Sequence, residues 1–291
     1  MKITNVLNLP QPFLDAVSKE YAIKPKRYSV TTILKDNREI LLSRRHGDEI
    51  SSDVSDMIWA IFGTAVHKVL ETANEQEHLK KEFYMTIPVI DDYELSGICD
   101  VYDTINGEVI DYKVVSTFKC LKGEFDDFRK QGIAYCYMLR KLGFKADKAT
   151  FYMILRDWQG SKAKFDNNYP QHQIQKKSFE FTENDFIEFE VWLHAKFKSL
   201  IDDEQLLDDE IPVCCEESRW HTDDVYAVMK KGRKTALKLC KTQEEAENYK
   251  TEKGGDFVEF RQGADRKCAE YCSCAAFCEH YKQNIRKEGE Q

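Results

Sequence analysis

Three β-rich runs follow one another between residues 82 and 115 with no helix between them, and an Asn-Gly step inside them restricts how the chain folds. The runs read EFYMTIPVI, LSGICDVYD and GEVIDYKVV. Asn106-Gly107 is a strong hairpin signal, because a type I′ turn needs positive φ at both central residues. A two-residue loop there sets Ile105 opposite Glu108, Tyr102 opposite Asp111 and Asp100 opposite Lys113. Side chains alternate along a strand, so Asp100, Tyr102, Asp111 and Lys113 share one face, and Ile110, Tyr112 and Val114 take the other. Two carboxylates that close repel each other unless a cation lies between them. Oxygen donors with open positions suit Mg²⁺ or Mn²⁺. A solvated strand face carrying a salt bridge gives the same short pattern.

Helical periodicity brackets these strands. Ser55 to Glu71 reads as a helix whose apolar face carries Ile58, Ile61, Phe62, Ala65, Val66, Val69 and Leu70. Phe128 to Leu142 reads as a second helix, stopped at Gly143. Two further strands follow, in ATFYMILRDW and HQIQKKSFEF, and Thr182 opens a long helix with a capping-box-like start. The order predicts an α/β domain built on a central mixed sheet flanked by helices. The acidic stretch Asp208 to Glu210 before Ile211-Pro212 sets the expected domains at 1–210 and 211–291. In the second, VYAVMKK and KTALKLC read as a hairpin around Gly232, followed by a short helix and a strand.

Two more motifs accompany the hairpin. Gly63, His67 and Glu71 are spaced i, i+4, i+8 on the first helix and share one side of it, with Gly63 expected to admit a close backbone neighbour. Gln131 and Tyr135 lie one turn apart on the second helix, able to hold the acidic strand or a phosphate. GTAVHKVLE, GICDVYD, GEVIDYK and QGIAY, in this order and spacing, resemble the RecB-type branch of the PD-(D/E)XK nucleases. The likeness is to the CRISPR-associated exonucleases and the nucleases many phages encode. It implies the restriction-endonuclease-like core, with His67, Asp100, Asp111 and the Tyr112 carbonyl as ligands of Mg²⁺ or Mn²⁺. It further implies Lys113 as the catalytic lysine, Gln131 and Tyr135 as positioning groups, and Glu71 at an acidic position of the first motif.

With no secretory layout at the N-terminus, the ten cysteines are not expected to form a disulfide framework. Cys268, Cys272, Cys274 and Cys278 crowd into eleven residues, and thiolates so close favour a soft metal; spacing alone fits zinc or an iron–sulfur cluster. The resemblance implies a C-terminal [4Fe–4S] module with Zn²⁺ as the alternative. Its ligands would be Cys214, Cys268, Cys272 and Cys278, with Cys215 and Cys274 as substitutes. The chain departs from the CRISPR-associated pattern in having no cysteine ahead of Cys99.

The net charge of −8 argues against a protein that coats nucleic acid by overall positive charge. It leaves local DNA handling open. Lys230, Lys231, Arg233, Lys234, Lys238 and Lys241 run without an intervening acid and could track a DNA backbone. Trp158 and Trp220 could stack bases, and core packing is the expected use of each. No apolar run reaches the ~20 residues that span a bilayer, so a cytoplasmic protein is expected (host cytoplasm, if phage-encoded). Together these readings imply an exonuclease on DNA ends, single-stranded by preference, acting in phage recombination, replication or DNA processing, with proteins of those processes as partners. The alternatives are a structure-selective endonuclease and a non-catalytic DNA-binding adaptor.

Overall fold

The computed structural model describes residues 1–18, 24–74 and 76–285. The chain divides into two compact units, residues 1–35 with 51–205 and residues 36–50 with 206–291. Residues 36–50, counted with the first domain from the sequence, therefore belong to the second unit.

The first unit is a mixed α/β body around a six-stranded sheet. Its strands are β1 (Arg27–Ser29), β2 (Leu79–Ile90), β3 (Tyr93–Asp103), β4 (Glu108–Val115), β5 (Lys148–Leu155) and β6 (Ile174–Glu180). The order is β1-β3-β4-β5-β6, and β2 pairs with β3 on its other edge. β1–β3 and β4–β5 are parallel and the other pairs antiparallel. The flanking helices are α1 (Ile58–Glu71), α2 (Asp126–Lys141) and α3 (Glu183–Asp203). Thr182 closes the expected capping box at the start of α3, its hydroxyl accepting from Asp185 N while the Asp185 side chain accepts from Thr182 N.

The core follows the strand alternation, one face of α3 and the whole circumference of α2 from Gln131 to Leu139. Leu95, Cys99, Val109, Phe151, Met138, Leu139, Leu193 and Phe197 are fully buried, and Phe128 of α2 stacks on Phe151 of β5 at 4.9 Å. α1 differs: it is apolar around much of its circumference, yet none of its residues is buried. Trp59 and Phe62 each remain 49% exposed. Periodicity established that this helix has an apolar face, not that protein covers it.

The turn between β3 and β4 also differs from expectation. Asp103 pairs with Glu108, Tyr102 with Val109 and Val101 with Ile110, so the loop has four residues and the register is offset by two. Asp103 is the cause. Its Oδ1 accepts from the Ile105 and Asn106 amides and its Oδ2 from the Asn106 side chain at 2.7 Å. Asn106 thus keeps negative φ, and Gly107 alone, at φ +63°, takes the left-handed position. An offset of two leaves every side chain on the face first assigned to it.

In the second unit, β7 (Val225–Met229), β8 (Lys238–Cys240) and β9 (Phe257–Arg261) form a sheet of order β8-β7-β9. The helix α4 (Gln243–Lys253) covers one face through Val228, Cys240 and Ala246. The segment Asn37–Arg45 is a helix of this unit. Its Arg38, 3% exposed, donates to the carbonyls of Ile211 and Asp209. Trp220, read as core, is 51% exposed and packs against Tyr271 at 5.1 Å. No described helix is long and apolar enough to cross a membrane.

Candidate active site and a cysteine-lined cavity

The acidic residues meet where two strands part. β2 accompanies β3 along one edge, while the other edge is shared by β1 at residues 94–96 and β4 at 101–103. Residues 97–100 lie in the gap. β4 leaves β3 after Ile110 and continues beside β5 as far as Val115. Beyond the end of the β3–β4 ladder, the Tyr112 amide donates to Asp100 Oδ2 at 2.7 Å. The fork thus exchanges a backbone acceptor for a carboxylate, which holds Asp100 in place.

Asp100, Asp111 and Lys113 come together as expected from alternation, but the ion pair is Asp111–Lys113 rather than Asp100–Lys113. Lys113 Nζ lies 2.7 Å from Asp111 Oδ2. Oδ2 is buried, and among the described residues no donor other than this ammonium reaches it. Gln131 Nε2 donates to Asp111 Oδ1 at 3.3 Å and to Tyr135 Oη at 3.2 Å. Asp111 is 3% exposed, and burial pushes its carboxyl up to about 6 against the pull of Lys113; the Asp100 charge adds to the rise. Gly97 makes room for Tyr135, because a Cβ there would lie 2.8 Å from Tyr135 Cε1.

His67 of α1 reaches the same place, with Nδ1 3.0 Å from Asp100 Oδ1. The Asp100 contact raises the imidazole pKa more than partial burial lowers it. Glu71 does not join this group; its carboxylate pairs with Lys68 at 2.8 Å. Lys81 Nζ donates to the carbonyl of Glu71 at 2.8 Å, satisfying the end of α1. Among the described residues outside its own helix, nothing lies within 4 Å of where a Cβ on Gly63 would stand, which corrects the expected close backbone neighbour. Tyr112 sets its ring edge-on to His67 at 6.3 Å.

One acidic residue went unnoticed in the sequence. Glu82 of β2, with His67 and Asp100, offers ligand atoms that all lie within 4.8 Å of one another. Among the described residues this is the one such group of three or more histidines, cysteines or carboxylates. Its signal was present in the strand pattern, but only with the β2–β3 register in hand.

The second unit holds a cavity lined by Cys214, Cys268, Cys272, Cys274 and Cys278, with Arg38 and Leu42 of the helix Asn37–Arg45. Cys272 Sγ and Cys274 Sγ are 3.5 Å apart, and Arg38 Nη1 lies 3.5 Å from Cys278 Sγ. Burial pushes the Cys214 thiol up to about 12 and the Cys268 thiol to about 11. Both thiols therefore hold their protons at neutral pH. Cys215 is exposed, contacts Ser218 Oγ at 3.2 Å and does not line the cavity.

No family model matches the chain, and no curated protein sequence matches it. Among solved structures, one described as SSO0001 is 15% identical over 66% of this chain and 82% of its own, with a TM-score of 0.47. An alkaline exonuclease from Laribacter hongkongensis is 13% identical over 67% and 95%, with a TM-score of 0.37. A phage related exonuclease from Haemophilus somnus 129PT is 12% identical over 58% and 73%, with a TM-score of 0.30. Similarity at this level says nothing about chemistry.

Proposed function

We propose that this chain is a divalent-metal-dependent DNA nuclease, acting as an exonuclease on DNA ends. The observation that carries the reading is Asp111: a buried carboxylate whose Oδ2 meets the Lys113 ammonium and no other donor among the described residues, within the field of Asp100 and His67. A carboxylate kept in such a place without a full complement of donors fits a cation. His67, Asp100 and Asp111 would hold Mg²⁺ or Mn²⁺, with the Tyr112 carbonyl as a further oxygen. When bound, the ion supplies Lewis-acid charge neutralisation to a phosphodiester. Gln131 fixes the orientation of Asp111, and Asp100 fixes His67 and the Tyr112 backbone. The Lys113 side chain, about one quarter exposed, presents its charge to a phosphoryl oxygen as negative charge develops there.

The test is incubation of anaerobically purified protein with end-labelled linear and covalently closed circular DNA, in Mn²⁺ or EDTA. Degradation of linear DNA alone supports the exonuclease. Nicking of circles makes it an endonuclease, and no metal-dependent cleavage of either makes it a DNA-binding adaptor.

The exposed face of α1 supports a single-stranded substrate. Trp59 and Phe62 stand 5.7 Å apart and half exposed, and the Arg156 guanidinium lies 4.1 Å over the Trp59 ring. Aromatic faces beside a cation stack bases and neutralise a backbone. A base stacked on an aromatic side chain is worth about 1–3 kcal/mol. The Trp59→Ala/Phe62→Ala variant is therefore expected to raise KM for single-stranded DNA at least tenfold at unchanged Tm. An unchanged KM would remove α1 from the binding surface.

Ion binding must displace protons, because Asp111 titrates near 6 and the His67 pKa is raised. Mn²⁺ affinity is expected to climb between pH 5 and 7.5, with protons released on binding at pH 5 and progressively fewer as pH rises past 6, read by calorimetry in buffers of different ionisation enthalpy. Stability of the ion-free protein runs the other way. Both groups bind protons more tightly folded than unfolded, so their contribution is present at low pH and fades as pH rises through the folded values. For Asp111, the rise from 3.8 to about 6 is worth at most about 3 kcal/mol. The gain in Tm on adding Mn²⁺ should consequently grow from pH 5 to pH 8, and Asp111→Asn should flatten it.

In the second unit we assign Cys214, Cys268, Cys272 and Cys278 to a [4Fe–4S] cluster, with Cys274 as the substitute that lines the same cavity. Tetrahedral zinc would bring every sulfur pair to roughly 3.8 Å, from a Zn–S distance of about 2.3 Å. No three cysteine sulfurs among the described residues lie within 4.8 Å of one another. This wider spacing suits a polynuclear centre, whose role here is structural. A broad visible band with iron and sulfide analysis separates the two metals.

A further inference from the structure

The second unit carries its own concentration of charge. Lys230, Lys231, Arg233, Lys234, Lys238 and Lys241 follow one another without an acid, in a chain whose net charge is −8. The fold sorts them into two groups. Lys238 pairs with Glu245 of α4 at 2.8 Å and lies over the Tyr249 ring at 5.1 Å, and Glu245 also accepts from the Lys241 amide at 3.3 Å. Lys230, Lys231, Arg233 and Lys234 occupy the connection from β7 to β8, and all four are exposed. No hydrogen bond or ion pair among the described residues engages their side chains.

The backbone under these four cations is held in place. Lys231 N donates to Asp256 Oδ2 at 2.6 Å, Arg233 N to the Lys230 carbonyl at 3.0 Å, and Leu237 N to the Val228 carbonyl at 2.7 Å. Each bond uses a main-chain donor, so the charged side chains remain available. Strand pairing sets Met229 opposite Phe257, Ala227 opposite Leu239 and Glu259, and Val225 opposite Arg261, on the face turned away from α4. On that face Phe257 is 44% and Leu239 55% exposed. Its two charged residues, Glu259 and Arg261, pair with each other at 2.8 Å. Met229 runs directly into Lys230, which places the half-exposed Phe257 at the root of the cationic connection.

Four like charges within five residues repel one another, and a partner with closely spaced negative charge relieves this. Cations that follow phosphates, next to an aromatic side chain that takes a base, make a sequence-tolerant groove for a single strand. We propose that the β7–β8 connection and the open face of its sheet form a second DNA-holding site. Lys230, Lys231, Arg233 and Lys234 meet the backbone phosphates of a single strand, and Phe257 stacks on a base. An acidic peptide would meet the cations and leave the ring without a flat partner; a nucleic acid strand uses both. The proposal rests on the reading of the chain as a DNA nuclease and adds a place, in the other unit from the acids, that grips substrate. It takes no part in bond cleavage.

The test is equilibrium binding of a labelled single strand of about 30 nucleotides to the full chain in EDTA, across roughly 50–200 mM salt. With Lys230, Lys231, Arg233 and Lys234 all replaced by alanine, binding at the lowest salt should weaken about tenfold or more. The slope of log affinity against log salt should fall by about 2–3, the share of four phosphate contacts on a single strand. Phe257→Leu keeps apolar packing and removes the flat ring; it should weaken binding about fivefold or more at an unchanged slope. Lys238→Ala, whose cation is already paired, should bind as wild type. Single-turnover cleavage at saturating protein, and Tm, should match wild type in every variant. Wild-type affinity in the four-alanine variant or in Phe257→Leu overturns the proposal and leaves the nuclease reading standing. Polyglutamate that displaces the strand at equal charge concentration makes the partner an acidic protein and overturns it as well. No binding of the strand by wild type overturns both readings.

Discussion

Lys113→Ala is expected to cleave DNA about 10²–10³-fold more slowly than wild type, or below detection, in single-turnover assays at saturating Mn²⁺. The size follows from the loss of a charge positioned where the transition state becomes negative. Lys113 Nζ is held 2.7 Å from the buried Asp111 carboxylate and passes over the Phe151 ring at 5.8 Å, so its amine is already in place before substrate arrives. Folding should survive the change. Without its lysine, Asp111 keeps its proton to higher pH, and a neutral buried carboxyl retaining its Gln131 contact is tolerated where an unpaired charge is not. The Tm of the ion-free variant at pH 6 should lie within a few degrees of wild type. An undiminished cleavage rate would overturn the placement of the active site.

The other large effect is expected in the second unit. Cys278→Ser should abolish the visible absorption band of the as-purified protein and unfold this unit, seen as rapid proteolysis after residue 206. Cys278 is nearly buried and packs with Cys274, Leu42 and Ile50. Binding of structural zinc is worth about 10–16 kcal/mol in small metal-dependent domains, and a cluster in the same structural role should weigh on that scale. Cys215→Ser is the control, because its side chain is exposed and outside the cavity. Cleavage by the folded fraction should persist, since the acids, His67 and Lys113 all belong to the first unit. Retention of the band and of protease resistance in Cys278→Ser would remove this cysteine from the ligand set.

Much of the fold was legible because it depends on local rules. Strand alternation placed Asp100, Asp111 and Lys113 on one face, and Thr182 announced the start of α3 through its capping box. Other features depend on partners far away in the chain. Arg38 and Leu42 sit at the cysteine-lined cavity, some 170 residues or more before the cysteines, and nothing in their neighbourhood marks them for it. The apolar face of α1 was readable, whereas its exposure was not, because periodicity carries no information about what lies opposite.

Two register offsets show where the division falls. At the β3–β4 turn, Asp103 gathers the loop donors and shifts the pairing by two residues, which returns every side chain to its face, so the sequence alone determined that two acids and a lysine converge. In the β2–β3 hairpin, an irregularity between Pro88 and Ile90 shifts the pairing by one, and an odd shift exchanges the faces. Without it Glu82 would stand opposite Val101, turned away from Asp100. Only the tertiary structure decided that Glu82 meets His67 and Asp100, because a one-residue shift several positions further along the hairpin redirects it without any change in its own sequence neighbourhood.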